Sequence, residues 1–332
     1  MEKEQEEIQF LGFFGIFKES FIITFSWRKV FLQITLAIIC PLSLIFLAHM
    51  QISQFLFEDI IHNEEASGYT HKSSYTYFNI SNSISSDWTT FWTFKFTYFI
   101  FFLALSLLST SAVVYTIACI YISKTITFKK VIRVVPKVWT RLMITFIWSF
   151  IVIFAYNVLA LLVLSTEFTD ITTLTRFPIF AILAAVYIMG FLYISIIWHL
   201  ASVISVLEQD YGIEAMIKSK KLIKGKLIIS LSIFLLLNLC FIAIQLGFQR
   251  CFVLGNYSLW SKLGFGIFCF FSQSILTLFG LIIQTVLYFV CKSYHHETID
   301  KSWLADSLEV YDYLGDYVPL KSKDVLLEQF YV

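Results

Sequence analysis

The chain has 332 residues, of which 58% are hydrophobic and only 14% are charged. Soluble domains contain about 45–50% apolar and about 25% charged residues, so this chain is too apolar to cover its surface in water. The composition excludes a soluble globular protein and predicts an integral membrane protein. The net charge of +1 indicates little about partners, so the positions of the charges matter more than their sum.

The apolar residues are concentrated in segments long enough to cross a bilayer. Residues 1–7 are acidic and polar, unlike the basic start of a secretory signal peptide, so the first apolar segment is expected to remain as an anchor. A transmembrane helix needs about 20 mostly apolar residues. Six segments meet this requirement and predict an all-α, polytopic membrane helical bundle: 30–50, 96–122, 142–165, 178–207, 227–247 and 263–291.

The distribution of basic residues predicts the orientation of the bundle. Most of the 24 Lys and Arg residues precede the odd-numbered spans or follow the last one. Because basic residues are retained on the cytosolic side, both termini are predicted to be cytosolic. This divides the chain into a cytosolic amphipathic segment (1–29), a membrane domain (30–291) and an acidic cytosolic tail (292–332).

The opposite side is predicted to carry the glycosylation sites and the largest loop. The sequons at Asn79 and Asn256 both fall on the non-cytosolic side, where N-glycosylation takes place. Residues 51–95 are rich in Ser, Thr, Asn and Tyr, which predicts a loop with at most a short helix near residues 55–61.

The segments before the odd-numbered spans repeat one pattern. In the second of them, Val131, Val134, Val135 and Val138 form a stripe at helical spacing, and basic residues fall elsewhere. This pattern predicts an interfacial helix with its apolar face toward the bilayer. The chain is therefore expected to contain three repeats of an interfacial amphipathic helix plus a transmembrane hairpin.

Basic residues on two of these helices are candidates for contact with anionic lipid headgroups on the cytosolic face. The alternative is that they only set the topology. The candidates are Lys129, Lys130, Arg133, Lys137, Arg141, Lys218, Lys220, Lys221, Lys224 and Lys226.

Ionisable side chains inside the spans are nearly absent. None of the six spans contains Asp, Glu, Lys or Arg, which disfavours a carrier coupled to protons or ions. The polar residues are predicted to form hydrogen bonds between helices, or alternatively to line a cavity. They are His199, Asn157, Asn238, Gln245, Gln273 and Gln284.

Cysteine spacing and catalytic motifs indicate no reaction chemistry. The six cysteines fit neither a disulfide framework nor a zinc site, and no catalytic, metal-binding or cofactor-binding residue is predicted. Cys291, at the end of the last span, is either a palmitoylation site or an inert thiol. The acidic tail is expected to bind protein partners or to pack beneath the bundle, and nothing indicates nucleic-acid binding.

Two resemblances rest on particular residues. The loop before the fifth span resembles that of proteins related to the membrane domain of glycerophosphodiester phosphodiesterases, through Glu208, Gly212-x-x-Ala215, Ser219 and Leu222-x-x-Gly225-Lys226. This likeness concerns a membrane domain only and implies no catalytic site.

Nearly the whole chain resembles a plant family of uncharacterised six-span membrane proteins. The similarity is carried by residues 10–12, 27–29, 206–226, 290–297 and 313–321. Members are often named as binding partners of a poly(A)-binding protein. The resemblance implies a plant endomembrane or plasma-membrane protein and implies no activity.

Three functions are compatible with these features. The first is a non-enzymatic protein that organises membrane lipids or partners, or acts in trafficking, in the secretory pathway. The second is a channel or carrier for an uncharged or lipidic molecule, with a cavity lined by the intramembrane amides. The third, a membrane-embedded lipid enzyme, is disfavoured because no clustered acid–base set is present.

Overall fold

The computed structural model describes residues 9–69, 75–122, 126–168, 177–253 and 258–295. Within these ranges the regular secondary structure is entirely helical, as predicted. One segment of π-helix, Thr35–Ile39, joins the helices Arg28–Ile34 and Cys40–Tyr69, and another, Gln249–Val253, extends the helix Leu227–Phe248. The α-helices are α1 (Phe13–Ser26), α2 (Arg28–Ile34), α3 (Cys40–Tyr69), α4 (Tyr75–Tyr121), α5 (Phe128–Phe168), α6 (Phe177–Leu207), α7 (Ile213–Leu222), α8 (Leu227–Phe248) and α9 (Leu259–Tyr294).

Six of these helical segments are long and apolar enough to cross a membrane. Each contains most of one predicted span, so the prediction of an all-α multi-pass membrane protein is confirmed. They are Arg28–Ser67, Asn82–Tyr121, Val138–Val163, Phe180–Leu207, Leu227–Phe252 and Leu259–Tyr294.

One end of the bundle carries α7 and most of the basic residues described, and it is called the basic end below. The ends of α6 and α9 meet there through Glu208 and Lys292, and the start of α8 meets the end of α9 through Lys226 and Tyr294. The main hydrophobic core lies close to this end and is formed by residues 107–119 of α4, 196–207 of α6 and 282–291 of α9, among others. The bundle is therefore packed most tightly at its basic end.

The segment predicted as a large outer loop is mostly helical instead, because α3 and α4 continue as an antiparallel hairpin. Ile60 is buried between them, and the rings of Phe57 and Phe91 lie 6.3 Å apart. Asn63 Nδ2 donates a hydrogen bond of 2.8 Å to Asp87 Oδ2. Adding residues to an existing helix avoids the cost of nucleation, so these cross-hairpin contacts suffice to extend two spans through polar sequence.

The valine stripe of the second predicted interfacial helix packs into the protein, so the prediction that it faces the bilayer is wrong. Val131, Val134, Val135 and Val138 are all at most 3% exposed and belong to the main core. Their helix is also not separate from the span, since α5 is continuous and contains Pro136. An apolar stripe indicates that a helix face is buried, but it does not specify what buries that face.

The first and third repeats do contain separate short helices with outward apolar faces. α1 ends at Trp27, where the backbone leaves helical geometry, and it packs on α9 through Phe17 and Phe21 against Phe279. α7 packs mainly on α6 and leaves Ile213 and Ile217 exposed. The exposed aromatic residues at the N-terminal end of the described chain are Phe10, Phe14, Phe21 and Phe25.

Candidate intramembrane binding site

A cavity of about 350 Å³ lies within the membrane domain, between α3, α4, α6, α8 and α9. Its volume is at the lower end of the range of about 300–1,000 Å³ that is typical of small-molecule sites. Most of its wall is apolar, and none of its lining residues is Asp, Glu, Lys or Arg. The apolar wall includes Leu42, Phe46, Phe102, Ile196, Leu200, Ile233, Phe234, Leu237, Phe241, Leu281, Ile283 and Leu287.

The polar side chains predicted from the spans mostly meet at this cavity. Five of them line it: His199, Asn238, Gln245, Gln273 and Gln284. Asn157 lies elsewhere, in the hairpin of α5 and α6, where its Oδ1 accepts a hydrogen bond of 2.7 Å from Tyr187. Both alternatives for these residues are therefore found. Asn157 bonds between helices without lining the cavity, whereas His199 and Gln284 line the cavity and also bond to each other.

Two of the lining residues are bonded to each other across the bundle. Gln284 Nε2 donates to the backbone oxygen of His199, and His199 Nδ1 lies 3.3 Å from Gln284 Oε1. The His199 ring also packs edge-on against Phe234, with ring centres 5.2 Å apart. This pair joins α6 to α9, and His199 keeps exposed surface in the middle of the bundle because the cavity lies beside it.

Two other lining residues contain buried polar atoms that have no hydrogen-bond partner in the described part of the chain. They are Oε1 of Gln273, a residue 6% exposed, and Oγ of Ser43, a residue 2% exposed. Leaving a buried polar group unsatisfied costs about 1–3 kcal/mol. Ser43 was not among the residues predicted, because one hydroxyl in an apolar span gives no signal.

α9 approaches α8 closely at Gly280, in the wall of the cavity. Gly280 lines the cavity, and a Cβ atom placed on it would lie 3.9 Å from Leu237 Cδ1, at ordinary van der Waals distance. An alanine therefore fits at this position, whereas a large side chain must enter the cavity.

An ion cluster at the basic end includes Tyr288, which is adjacent in sequence to the cavity-lining residue Leu287. Glu208, at the end of α6, is 4% exposed. Its Oε1 accepts hydrogen bonds from Tyr288 Oη at 2.5 Å and Lys292 Nζ at 2.6 Å, and Lys218 Nζ lies 2.5 Å from its Oε2. Lys218 also contacts Asp210 Oδ2 at 2.9 Å. The cluster fixes α6, α7 and α9 together next to Leu287, which lines the cavity.

The partners of Glu208 keep its carboxylate charged. Burial by itself would raise the pKa, but the positive charge of Lys292 and the hydrogen bonds from Lys218, Lys292 and Tyr288 outweigh it and lower the pKa below its ordinary value. Burial likewise opposes the charge on Lys218, and its bonds to Glu208 and Asp210 raise its pKa. The sequence analysis named Glu208 only as part of a resemblance and did not predict this ion cluster, because the partner Lys292 is 84 residues away in sequence.

The segment between α6 and α8 is shaped by two glycines with positive φ. Gly212 has φ of 65° and its N–H donates to Thr145 Oγ1 at 2.7 Å, which ties the start of α7 to α5. Gly225 has φ of 90°, and a Cβ atom there would collide with the ring of Tyr294. His295 Nε2 lies 2.9 Å from the backbone oxygen of Lys224, which closes this contact.

Most of the basic residues predicted to contact lipid headgroups lie at the basic end, where they differ in exposure. Lys129, Arg133, Lys220, Lys221 and Lys224 are exposed at the basic end, and Lys130 and Arg141 are partly buried there. Within the described residues no group of three or more His, Cys, Asp or Glu is arranged to hold a metal ion.

The structure disfavours one predicted lipid contact and one predicted modification. Lys218 is held by Glu208 and Asp210, which disfavours the predicted contact with a lipid headgroup. Cys291 is fully buried, which disfavours palmitoylation. Lys226 Nζ lies 5.1 Å from the ring centre of Tyr294. Asn256 and the side chains of Asn79 and Lys137 are outside what the structure describes, as is the predicted acidic tail beyond His295.

These features define a six-span helical membrane protein with a ligand-sized, uncharged cavity above an ion-paired base. The chain belongs to a family described as a domain of unknown function, DUF8558, whose model matches residues 1–330. No curated protein and no solved structure matches the chain.

Proposed function

We propose that this protein binds an uncharged, lipid-like molecule inside its membrane domain and acts as a carrier or lipid-handling protein. The observation that carries the proposal is the cavity itself, in which Gln273 and Ser43 have buried polar atoms without partners among the residues that the structure describes. A ligand that bonds to them would recover part of the free energy that their desolvation costs.

The character of the wall favours binding over catalysis. General acid–base chemistry needs positioned titratable groups, and His199 is the single titratable side chain among the lining residues. His199 is bonded to Gln284 rather than to a carboxylate or a nucleophile. The lipid-enzyme hypothesis is therefore the least supported of the three.

The first experiment is native mass spectrometry of the full-length protein, extracted gently from its own membrane. We expect a stoichiometric small molecule or lipid to be retained by the natural protein and by Gly280→Ala, and to be lost from Gly280→Phe. Retention of the same molecule by Gly280→Phe would place it outside the cavity. Absence of any bound molecule from the natural protein would contradict the proposal.

A membrane-organising role is the second candidate, supported by a different surface. Lys220, Lys221 and Lys224 are exposed on α7 and the following turn, next to the outward apolar residues Ile213 and Ile217. Near an anionic membrane surface each such charge contributes about 1 kcal/mol. Substituting the three lysines with Gln should reduce co-purifying phosphatidylserine, whereas Lys262→Gln at the opposite end should not. Unchanged phosphatidylserine would count against this role.

The orientation and location are part of the same proposal. The basic end faces the cytosol, and both termini lie on that side. The acidic tail is then available to protein partners in the cytosol. The membrane is an endomembrane or the plasma membrane of a plant cell. Support comes from the basic residues gathered at that end. A glycosidase-sensitive mass shift that disappears in Asn79→Gln would agree with this orientation, and labelling of the α7 lysines by a membrane-impermeant reagent on intact cells would contradict it.

A further inference from the structure

We infer that the ligand of the cavity is a neutral lipid with a hydroxyl head, bound with its head beneath an apolar plug and its hydrocarbon body directed toward the basic end. This inference rests on the proposed binding function and specifies the class of ligand. It follows from the register of the helices around the cavity, the charge of the wall and the positions of its unpartnered atoms.

The register of α8 against α9 places two lining amides at one level. Leu237 of α8 lies opposite Gly280 of α9, and Phe248 packs with Cys269. Because the two helices are antiparallel, Gln245 is level with Gln273, about seven or eight residues from the Leu237–Gly280 contact on each helix. Both amides therefore belong to one tier of the cavity.

Ser43 joins the same tier. Leu47 of α3 packs with Phe248 and Cys269 in a small second core. Residues four apart share a helix face, so Ser43 lies one turn below Leu47, just as Gln273 lies one turn below Cys269. Ser43, Gln245 and Gln273, which we call the head tier, are thus about 5–6 Å closer to the basic end than this second core.

The second core lies beyond the head tier, on the side away from the basic end. Leu47, Phe248 and Cys269 are each at most 5% exposed, and aromatic residues pack around them. A headgroup at this level is separated from water by an apolar plug. Burying a full charge in such a place is far more costly than burying a hydroxyl, so a phosphate, an ammonium or a carboxylate head is disfavoured.

The unpartnered atoms specify the polarity of the head. Gln273 Oε1 accepts hydrogen bonds only, so it requires a donor on the ligand. The hydroxyl of Ser43 can donate or accept. The terminal torsion of a glutamine is broad, which lets its amide turn toward a ligand at little cost. A hydroxyl, which both donates and accepts, satisfies both residues.

The remaining length of the cavity suits a hydrocarbon body. From Gln273 to Leu287, α9 lines the cavity over 14 residues, or about 21 Å at the helical rise of 1.5 Å per residue. Between these points the polar pair His199–Gln284 is already bonded to itself, and Asn238 Nδ2 donates to the backbone oxygen of Phe234 at 2.8 Å. The lower cavity therefore offers mainly apolar surface, in a length that exceeds one leaflet of about 15 Å.

The test uses the purified full-length protein and pairs each alcohol with its methyl ether, which lacks the hydrogen-bond donor. Binding of oleyl alcohol and cholesterol is measured by native mass spectrometry beside their methyl ethers, oleate and phosphatidylcholine. We expect at least one alcohol to bind at one molecule per protein and its methyl ether to bind about tenfold more weakly, since one hydrogen bond is worth about a factor of ten. Binding of cholesterol would indicate a sterol ligand, whereas binding of oleyl alcohol would indicate a single-chain lipid.

Variants provide the independent check. Gln273→Met should reduce alcohol binding about tenfold and leave the weak binding of the ether unchanged, whereas Asn157→Leu, an amide outside the cavity, should bind like the natural protein. Equal binding of alcohol and ether, or preference for oleate or phosphatidylcholine, would overturn the hydroxyl-head inference while leaving a binding function in place. Failure of every probe, together with no co-purifying molecule, would overturn the binding function itself.

Discussion

Replacing Glu208 with Gln tests whether the ion cluster holds the basic end together. The substitution keeps the size of the side chain and removes the charge that pairs with Lys292 and Lys218. Lys292 is the critical partner because its side chain is only 12% exposed. Lys218 is 31% exposed and retains Asp210, so it loses less.

The expected magnitude follows from this asymmetry. Breaking a buried ion pair by removing one partner costs about 3–5 kcal/mol, because the other charge stays buried. Since one of the two lysines keeps a partner, we expect a loss near the lower bound, about 3 kcal/mol. Asp210→Asn is the matched control, and it should cost at most about 1 kcal/mol because both members of its pair are substantially exposed.

The measurement is the free energy of unfolding by denaturant in mixed micelles, extrapolated linearly to zero denaturant. Combining Glu208→Gln with Lys292→Met removes the stranded charge and should recover a large part of the lost stability. If Glu208→Gln were as harmless as Asp210→Asn, the buried cluster would not stabilise the fold. If Lys292→Met restored nothing, the loss would not arise from a stranded charge.

Three further predictions use the same protein preparations. The folded pKa of Glu208 lies below its ordinary value of 4.5, so the stability that its carboxylate contributes is present above that value and is lost as the pH falls through the lowered pKa. The difference in unfolding free energy between the natural protein and Glu208→Gln should therefore persist at pH 5 and shrink only well below it. Unfolding measured at stepped pH checks this expectation. Gly225→Ala should lower the free energy of unfolding by about 1–3 kcal/mol, because of its positive φ and the ring of Tyr294, whereas Gly264→Ala, with open space around its Cβ position, should be neutral or stabilising. Asn157→Leu should cost about 1 kcal/mol of stability, through loss of its hydrogen bond from Tyr187, without changing ligand retention in the mass spectrum.

Hydropathy predicted the transmembrane helices well because the bilayer imposes a local rule. A span must satisfy its own backbone hydrogen bonds and present about 20 apolar residues, and both requirements can be read within one segment. The hairpin that extends α3 and α4 does not follow this rule, since residues such as Asn63 and Asp87 become helical through contacts between two distant segments. The polarity of residues 51–95, considered by itself, predicted a loop.

The apolar stripes show where periodicity stops being informative. The stripe at Val131–Val138 and the aromatic face of α1 both repeat at helical spacing, yet the first is buried in the protein and Phe14 of the second is 83% exposed. The difference depends on which helices surround each face. That arrangement depends on contacts distant in sequence and is absent from the pattern itself.

The sequence by itself determined the fold class, the approximate spans and the near absence of ionisable residues within them, because each depends on the composition of a single segment. Only the tertiary structure decided that Gln245, Gln273 and Ser43 line one cavity, while Asn157 bonds within a separate hairpin. The same holds for Glu208, whose charge is stabilised by Lys292 across 84 residues of chain. These features depend on the register between helices, and register is fixed by packing around the whole bundle rather than by any one helix.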